Sequence, residues 1–244
     1  MHTRTKTVAV FRHNLTEGAG YFGQYLDQHQ IPWTMIQLDQ GQAVPTDPEL
    51  FSGLVFMGGP MSVNDDLVWI QPVIELIRSA MAKGIPTLGH CLGGQLICKA
   101  MGGEVTANPV KEIGCWPITV ADTLTARSWF GDDPSFLSFH WHNETFSLPP
   151  GADWLASSEH CVNQAFAKGP HLAMQCHIEI TEEMVALWCQ DWSQEVEDRS
   201  TVLTGIQTPQ DMQQYVDTKV QNLHQVADRV YDRWVKCLQG VVHY

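Results

Sequence analysis

The chain has 244 residues, about 1.6 times a typical domain length, which suits one large domain or one domain with an appendage better than two equal domains. Apolar residues make up 44% and charged residues 17%, a globular composition that excludes a disordered chain, a collagen or a coiled-coil rod. Fourteen Lys plus Arg against 27 Asp plus Glu leave a net charge of −13, which repels phosphate backbones, so nucleic acid is not an expected partner.

In chain order, Val8–Phe11 reads as a first strand, Tyr21–Gln30 as a helix and Trp33–Leu38 as a second strand. A third strand, Leu54–Met57, ends at Gly58, Gly59 and Pro60. A long helix is predicted from Asp65 to Lys83, with Ile70, Val73, Ile74, Ile77 and Met81 on one face, and Gly84 and Pro86 stop it. Ile85–His90 reads as a buried strand, followed by a helix over Leu92–Met101 that Gly102 and Gly103 end. Short alternating runs at Ile118–Val120, Phe136–Trp141, Trp154–Ala156 and Asn163–Phe166 predict an antiparallel extension, and His171–Cys176 returns as a strand. Beyond Thr181 strand signals cease: Glu182–Glu195 and Gln210–Leu238 read as helices joined by a linker over Asp198–Thr208. The expected fold is therefore α/β, a three-layer and mostly parallel sheet over residues 1–190, with a helical C-terminal appendage over 191–244 that covers the domain or a second subunit of a homodimer.

The basic start of the chain meets only a four-residue apolar run, and no apolar stretch approaches the ~18 residues of a membrane span. A cytoplasmic chain without a membrane segment is expected. The seven cysteines contain no C-x-x-C pair, so in a reducing compartment most serve as small buried hydrophobes and one is left for chemistry.

That one is Cys91. Gly89-His90-Cys91-Leu92-Gly93 stands where a buried strand meets a helix, with the spacing of a nucleophile elbow. The sharp turn requires small residues two positions to either side and lifts the sulfur above the sheet at a helix N-terminus, where dipole and free amides attract negative charge. A thiol needs a base at the same sheet edge. Of eleven histidines His177 is best placed, because it follows the buried strand directly, and Glu179 two residues on can orient it.

With these residues in hand, the chain resembles the class I glutamine amidotransferases, in particular their free-standing GMP-synthase-like domains. The elbow over residues 89–95, the Gly58-Gly59-Pro60 run and Gln175-Cys176-His177-Ile178-Glu179 occur in the family's order. The resemblance covers about Val8–Trp188 and implies a flavodoxin-like fold and the side-chain amide of glutamine as substrate. It assigns Cys91 as nucleophile, His177 as base and Glu179 as orienter, with no cofactor. Such a site releases ammonia through a γ-glutamyl thioester, for a separate synthetase or for water, and a related γ-glutamyl peptide or amide is the alternative substrate. The amides of Leu92 and Gly59 are the natural oxyanion donors. Gly58, Gln95, one helical turn beyond the thiol, and the Trp141-His142-Asn143 stretch are the expected substrate contacts. Two departures stand out: Cys176 and Ile178 replace the family's usual Phe and Pro, and His142-Asn143-Glu144 replaces His-Gly-Asp.

Two other patterns compete. Gly18-Ala19-Gly20-Tyr21-Phe22-Gly23, with Asp39 after the second strand, matches a dinucleotide fingerprint, but His13–Glu17 separate it from the first strand. His140 and His142 have metal-ligand spacing on one strand face and lack a third ligand unless His160 or Cys161 supplies it. A loop and a substrate wall explain them better, and no metal is expected. No G-x-x-x-x-G-K-[ST] loop occurs in the sequence.

Overall fold

The computed structural model describes residues 6–191 and 205–240. One nine-stranded sheet organises them, in the order β2-β1-β3-β4-β9-β8-β7-β5-β6. The first five of these run parallel: β2 (Trp33–Gln37), β1 (Thr7–Arg12), β3 (Phe51–Phe56), β4 (Thr87–His90) and β9 (His171–Met174). The remainder is antiparallel: β8 (Ala165–Lys168), β7 (Asp153–Ser157), β5 (Val105–Val120) and β6 (Ser135–Phe146).

Alternation along the parallel strands sorts side chains to two faces. Val8 and Val10 face a core shared with α1 (Gly20–Gln28), whereas Ala9 and Phe11 face the other core, shared with α2 (Ile70–Ala82) and α3 (Leu92–Ala100). The molecule is thus three-layered and mostly parallel, as the sequence predicts.

Three elements differ from expectation, each for a local reason. α2 begins at Ile70 rather than Asp65, because Pro72 has no N–H for the carbonyl of Val68 and is tolerated only in a first turn. Residues 62–65 instead form a turn in which the Ser62 N–H donates to the Asp65 carboxylate at 2.9 Å. Within the extension, α4 (Leu124–Phe130) interrupts the strands; Thr123 caps it by accepting from the Ala126 N–H, and Gly131 ends it at φ +89°. The extension's strands are also longer than the alternating runs suggest: β5 spans 16 residues and changes register between Ala107 and Glu112.

After β9 the chain forms α5 (Glu182–Asp191) and α6 (Pro209–Val235). The predicted extension of the first helix to Glu195 and most of the linker lie outside the described residues. Thr208 and Asp211 form a reciprocal capping box with Pro209 in the first turn, which fixes the start of α6. The row Val216, Val220, Leu223, Ala227, Val230 and Trp234 is buried against the domain's own core, alongside α1, α4 and α5. Trp234 fills the space that Gly53 leaves on β3, while Tyr21 and Tyr25 donate to Asp228 and Asp232 at 2.8 and 2.6 Å. Burying six such side chains contributes at most about 10 kcal/mol. A chain ending at Asp191 should therefore expose this face and aggregate during size-exclusion chromatography; a soluble, monomeric, active truncation would show that α6 is dispensable. Among the described residues no helix is long and apolar enough to cross a membrane.

Candidate active site

Cys91 occupies the turn between β4 and α3 with φ +50° and ψ −110°, a left-handed conformation that costs a non-glycine residue about 1–3 kcal/mol. Its N–H donates to the Met174 carbonyl at 2.8 Å, and its own carbonyl accepts from Gln95 at 3.0 Å. A Cβ on Gly93 would strike the Phe56 carbonyl, one on Gly89 would strike the backbone of Gly93, and one on Gly94 would lie 2.6 Å from the Met174 oxygen. The glycines let α3 start wedged between β3 and β9, so the elbow is imposed by backbone contact on both sides. Gly93→Ala should consequently lose about 1–3 kcal/mol or more in chemical denaturation. Gly18→Ala, which meets nothing within 4 Å, should be close to neutral. Equal stability of the two variants would contradict the wedge.

His177 lies just past β9, tied to the extension by its N–H, which donates to the Phe139 carbonyl at 2.8 Å. Its Nδ1 is 2.6 Å from Glu179 Oε1, and Trp188 of α5 stands edge-on to the imidazole with ring centroids 5.0 Å apart. The second oxygen of Glu179 lies 2.9 Å from His90 Nδ1. Burial works against a charged imidazole at His177, but Glu179 and the Cys91 side chain outweigh it and hold its pKa well above the ordinary value. For Glu179 burial would favour protonation; the facing His90 and His177 reverse this and hold the carboxyl well below the usual carboxylate range. With Nδ1 committed to Glu179, Nε2 is left for the thiol. On its other side the Cys91 sulfur accepts from Gln175 Nε2 at 3.3 Å and lies 3.9 Å from the Trp141 carbonyl.

These groups open into a cavity of about 450 Å³ whose wall includes Gly59, Cys91, Gln95, Trp141, His142, Asn143 and His177. Of the remaining predicted residues, Glu179 stands behind His177, Leu92 opens α3 with its side chain packed towards Gly59, and Gly58 is buried beside His177. Gln95 Nε2 donates to Gln175 Oε1 at 3.2 Å, which links the two amides behind the thiol. His142 has both ring nitrogens engaged, Nε2 with Glu112 at 2.9 Å and Nδ1 with the Glu144 carbonyl at 3.0 Å, so it shapes the wall and is not available as a base.

Four participants escaped the sequence reading. Gln175 could have been found by period, since it lies two residues before His177. His90 precedes Cys91 in the elbow, but its contact with Glu179 arises only through tertiary packing, as do the places of Trp188 and Glu17, which also lines the cavity.

The two competing patterns resolve into structure. Gly20 adopts φ +52° where a Cβ would strike the Glu179 carbonyl, and the Tyr21 N–H donates to that carbonyl at 2.8 Å. The glycine run thus brings α1 against the strand end that holds Glu179. Asp39 is held by Arg12 in a paired contact at 3.0 and 2.8 Å. Beside His140 and His142 the third group is Glu112, not His160 or Cys161. The amide of Gln164 lies among them, donating to Glu112 at 2.6 Å and standing 3.3 Å from His140 Nδ1, so a side-chain amide occupies the middle of the cluster. Burial lowers His140 to about 3, and its neighbours' imidazoles hold Glu112 near 2 against the opposing effect of burial.

The sequence model of the glutamine amidotransferase class-I family matches residues 9–184, and the chain belongs to that family. It is 33% identical over 195 residues to the glutamine amidotransferase-like protein YfeJ of Salmonella typhimurium, covering 76% of this chain and 81% of that one. It is 30% identical over 178 residues to gamma-glutamyl peptidase 3 of Arabidopsis thaliana, covering 68% of this chain and 71% of the relative. Among solved structures, a glutamine amido transferase from Methylobacillus flagellatus superposes with a TM-score of 0.95 at 39% identity, over 99% of this chain and 98% of that one.

Proposed function

We propose that this protein is a cysteine-nucleophile amidohydrolase that releases ammonia from the side-chain amide of glutamine. The observation that carries the reading is the juxtaposition at one cavity wall of a strained cysteine at a helix N-terminus and an imidazole held at 2.6 Å by a buried carboxylate. Cys91 attacks the carboxamide carbon, and the resulting oxyanion is met by the amides of Gly59 and Leu92. His177 passes its proton to the departing nitrogen, and Glu179 keeps the imidazole oriented and stabilises its charged form. His177 then takes a proton from the water that hydrolyses the γ-glutamyl thioester. Gln95, Trp141, His142 and Asn143 enclose the glutamyl portion, and Gly58, predicted with them, stands behind the wall against Glu17 and His177.

Relatives named as glutamine-hydrolysing subunits of GMP synthase support a reading in which the ammonia goes to a separate synthetase. A second reading, hydrolysis of γ-glutamyl peptides or amides, is favoured by the cavity of about 450 Å³, which leaves room beyond the amide for a larger leaving group, and by the likeness to gamma-glutamyl peptidase 3. Coupled assays of ammonia from glutamine, and of free glutamate from γ-glutamyl dipeptides, test both. Turnover of either substrate that requires Cys91 supports the reaction class and selects between them. A protein that turns over neither, and whose Cys91 resists glutamine-like electrophiles, refutes it.

A further inference from the structure

The mechanism above leaves one buried ionisable group at the cavity without a task. Glu17, in the loop after β1, is only 4% exposed, and its carboxyl lines the cavity. Among the described residues no group donates a hydrogen bond to that carboxyl. Its position depends on Gly58: a Cβ there would strike Glu17 Oε2 and lie 3.1 Å from Cε1 of His177. The glycine therefore opens the space that the carboxylate and the imidazole edge share.

Burial pushes the Glu17 carboxyl up to about 7, with Glu179 adding to the rise and the His177 charge opposing it. Because the folded-state value lies above the ordinary one, Glu17 favours the fold while protonated and weakens it as pH rises towards and beyond about 7. A buried ionisable group at a cavity that finds no donor among the described residues points to a partner in the substrate.

Resting on the amide-hydrolysis reading, we propose that Glu17 is a further catalytic residue: its carboxylate faces the departing nitrogen and stabilises the ammonium character that builds there as His177 delivers its proton. Glu17, Cys91 and His177 line one cavity, and the Glu17 carboxyl stands across Gly58 from Cε1, the ring carbon between Nδ1 and Nε2, so a substrate nitrogen at Nε2 shares that cavity with the carboxylate. When the tetrahedral intermediate collapses, the proton moves from Nε2 to the nitrogen, the C–N bond breaks with its electron pair going to nitrogen, and the carbonyl re-forms as the thioester. Glu17 transfers no proton. It supplies a fixed negative charge where positive charge develops. The charges that act on it are those of His177 and Glu179 beyond β9, and Cys91, Lys111, His142 and Glu144 are the other titratable groups lining the same cavity.

The test compares two leaving groups in Glu17→Gln, a variant of the same size. L-Glutamine leaves a strongly basic nitrogen, whereas L-γ-glutamyl-p-nitroanilide leaves one too weakly basic to carry appreciable positive charge. The variant should lose about tenfold or more in kcat on glutamine and change the anilide by less than about twofold. In the wild type, kcat/KM for glutamine should rise with pH through about 7, and that limb should vanish in the variant. The unfolding midpoint at pH 8 should increase, since a buried charge has been removed. Equal losses on both substrates, or no loss on either, overturn the assignment of Glu17 while leaving the reaction class standing. A wild-type protein that turns over neither substrate overturns both.

Discussion

Cys91→Ser should abolish turnover and abolish stoichiometric labelling by a glutamine-like electrophile such as 6-diazo-5-oxo-norleucine, with the fold intact. A hydroxyl at this position keeps the shape but lacks the thiolate's nucleophilicity, and nothing else at the cavity wall replaces it. The other cysteines provide the contrast. Burial raises Cys98 and Cys161 to about 11 and Cys176 to about 12, so at neutral pH these are thiols shut inside the protein. Cys237 is exposed and is the internal control: a general alkylating agent should reach it, whereas a reagent recognised as glutamine should not, and glutamine should protect Cys91 alone. Peptide mapping by mass spectrometry decides the matter. Glutamine-protected labelling at any cysteine other than Cys91 would displace the assignment.

The second large effect separates the two partners of the thiol. His177→Asn should drop turnover to residual levels, about 10⁵-fold or more below wild type, since His142 is already committed to Glu112 and the Glu144 carbonyl. Glu179→Gln should lose less, on the order of 10⁴-fold, because the carboxylate orients the imidazole without exchanging the proton. The pH profile distinguishes orientation from simple damage. Glu179 is a principal reason that His177 stays protonated despite burial, so its neutralisation lowers the His177 pKa. The imidazolium needed to protonate the leaving nitrogen is then lost at lower pH, and the alkaline limb of kcat/KM should move downward. An unshifted limb in Glu179→Gln would mean that another group sets the charge on His177. Glu179→Gln also removes the charge facing His90, so His90→Gln belongs in the same series; it should leave turnover far closer to wild type, because His90 meets Glu179 at the oxygen turned away from His177.

What the sequence by itself determined is chemistry carried by neighbours along the chain. The elbow is legible because a Cβ at 89 would collide with the turn's own backbone at Gly93, while the glycine at 93 answers to the neighbouring strand, where a Cβ would strike the Phe56 carbonyl. The parallel half of the sheet is legible because strands buried on both faces read as continuous apolar runs, and α6 because its apolar side chains recur at helical spacing. The elbow and the strand end before His177 are what make Cys91, His177 and Glu179 candidates in the sequence, and the order of the three motifs carries the resemblance to the family.

Tertiary structure decided what depends on register and crossover. Gln175 reaches the Cys91 sulfur across 84 positions in sequence because β4 and β9 are adjacent and parallel. Glu112 meets His142 across 30 positions because β5 and β6 pair with a register shift just before Glu112. The face that α6 covers proved to be the chain's own, since a hydrophobic row specifies burial without specifying against what. Glu17 belongs to this class most clearly. It sits in a loop with no period, next to glycines that suggest a phosphate turn, and becomes a neighbour of His177 only when β1, β3 and β9 deliver their C-terminal ends to one edge of the sheet. Hydrophobic period and turn sterics are local and survive in a one-dimensional reading, whereas a polar site assembled from strand ends is created by the fold itself.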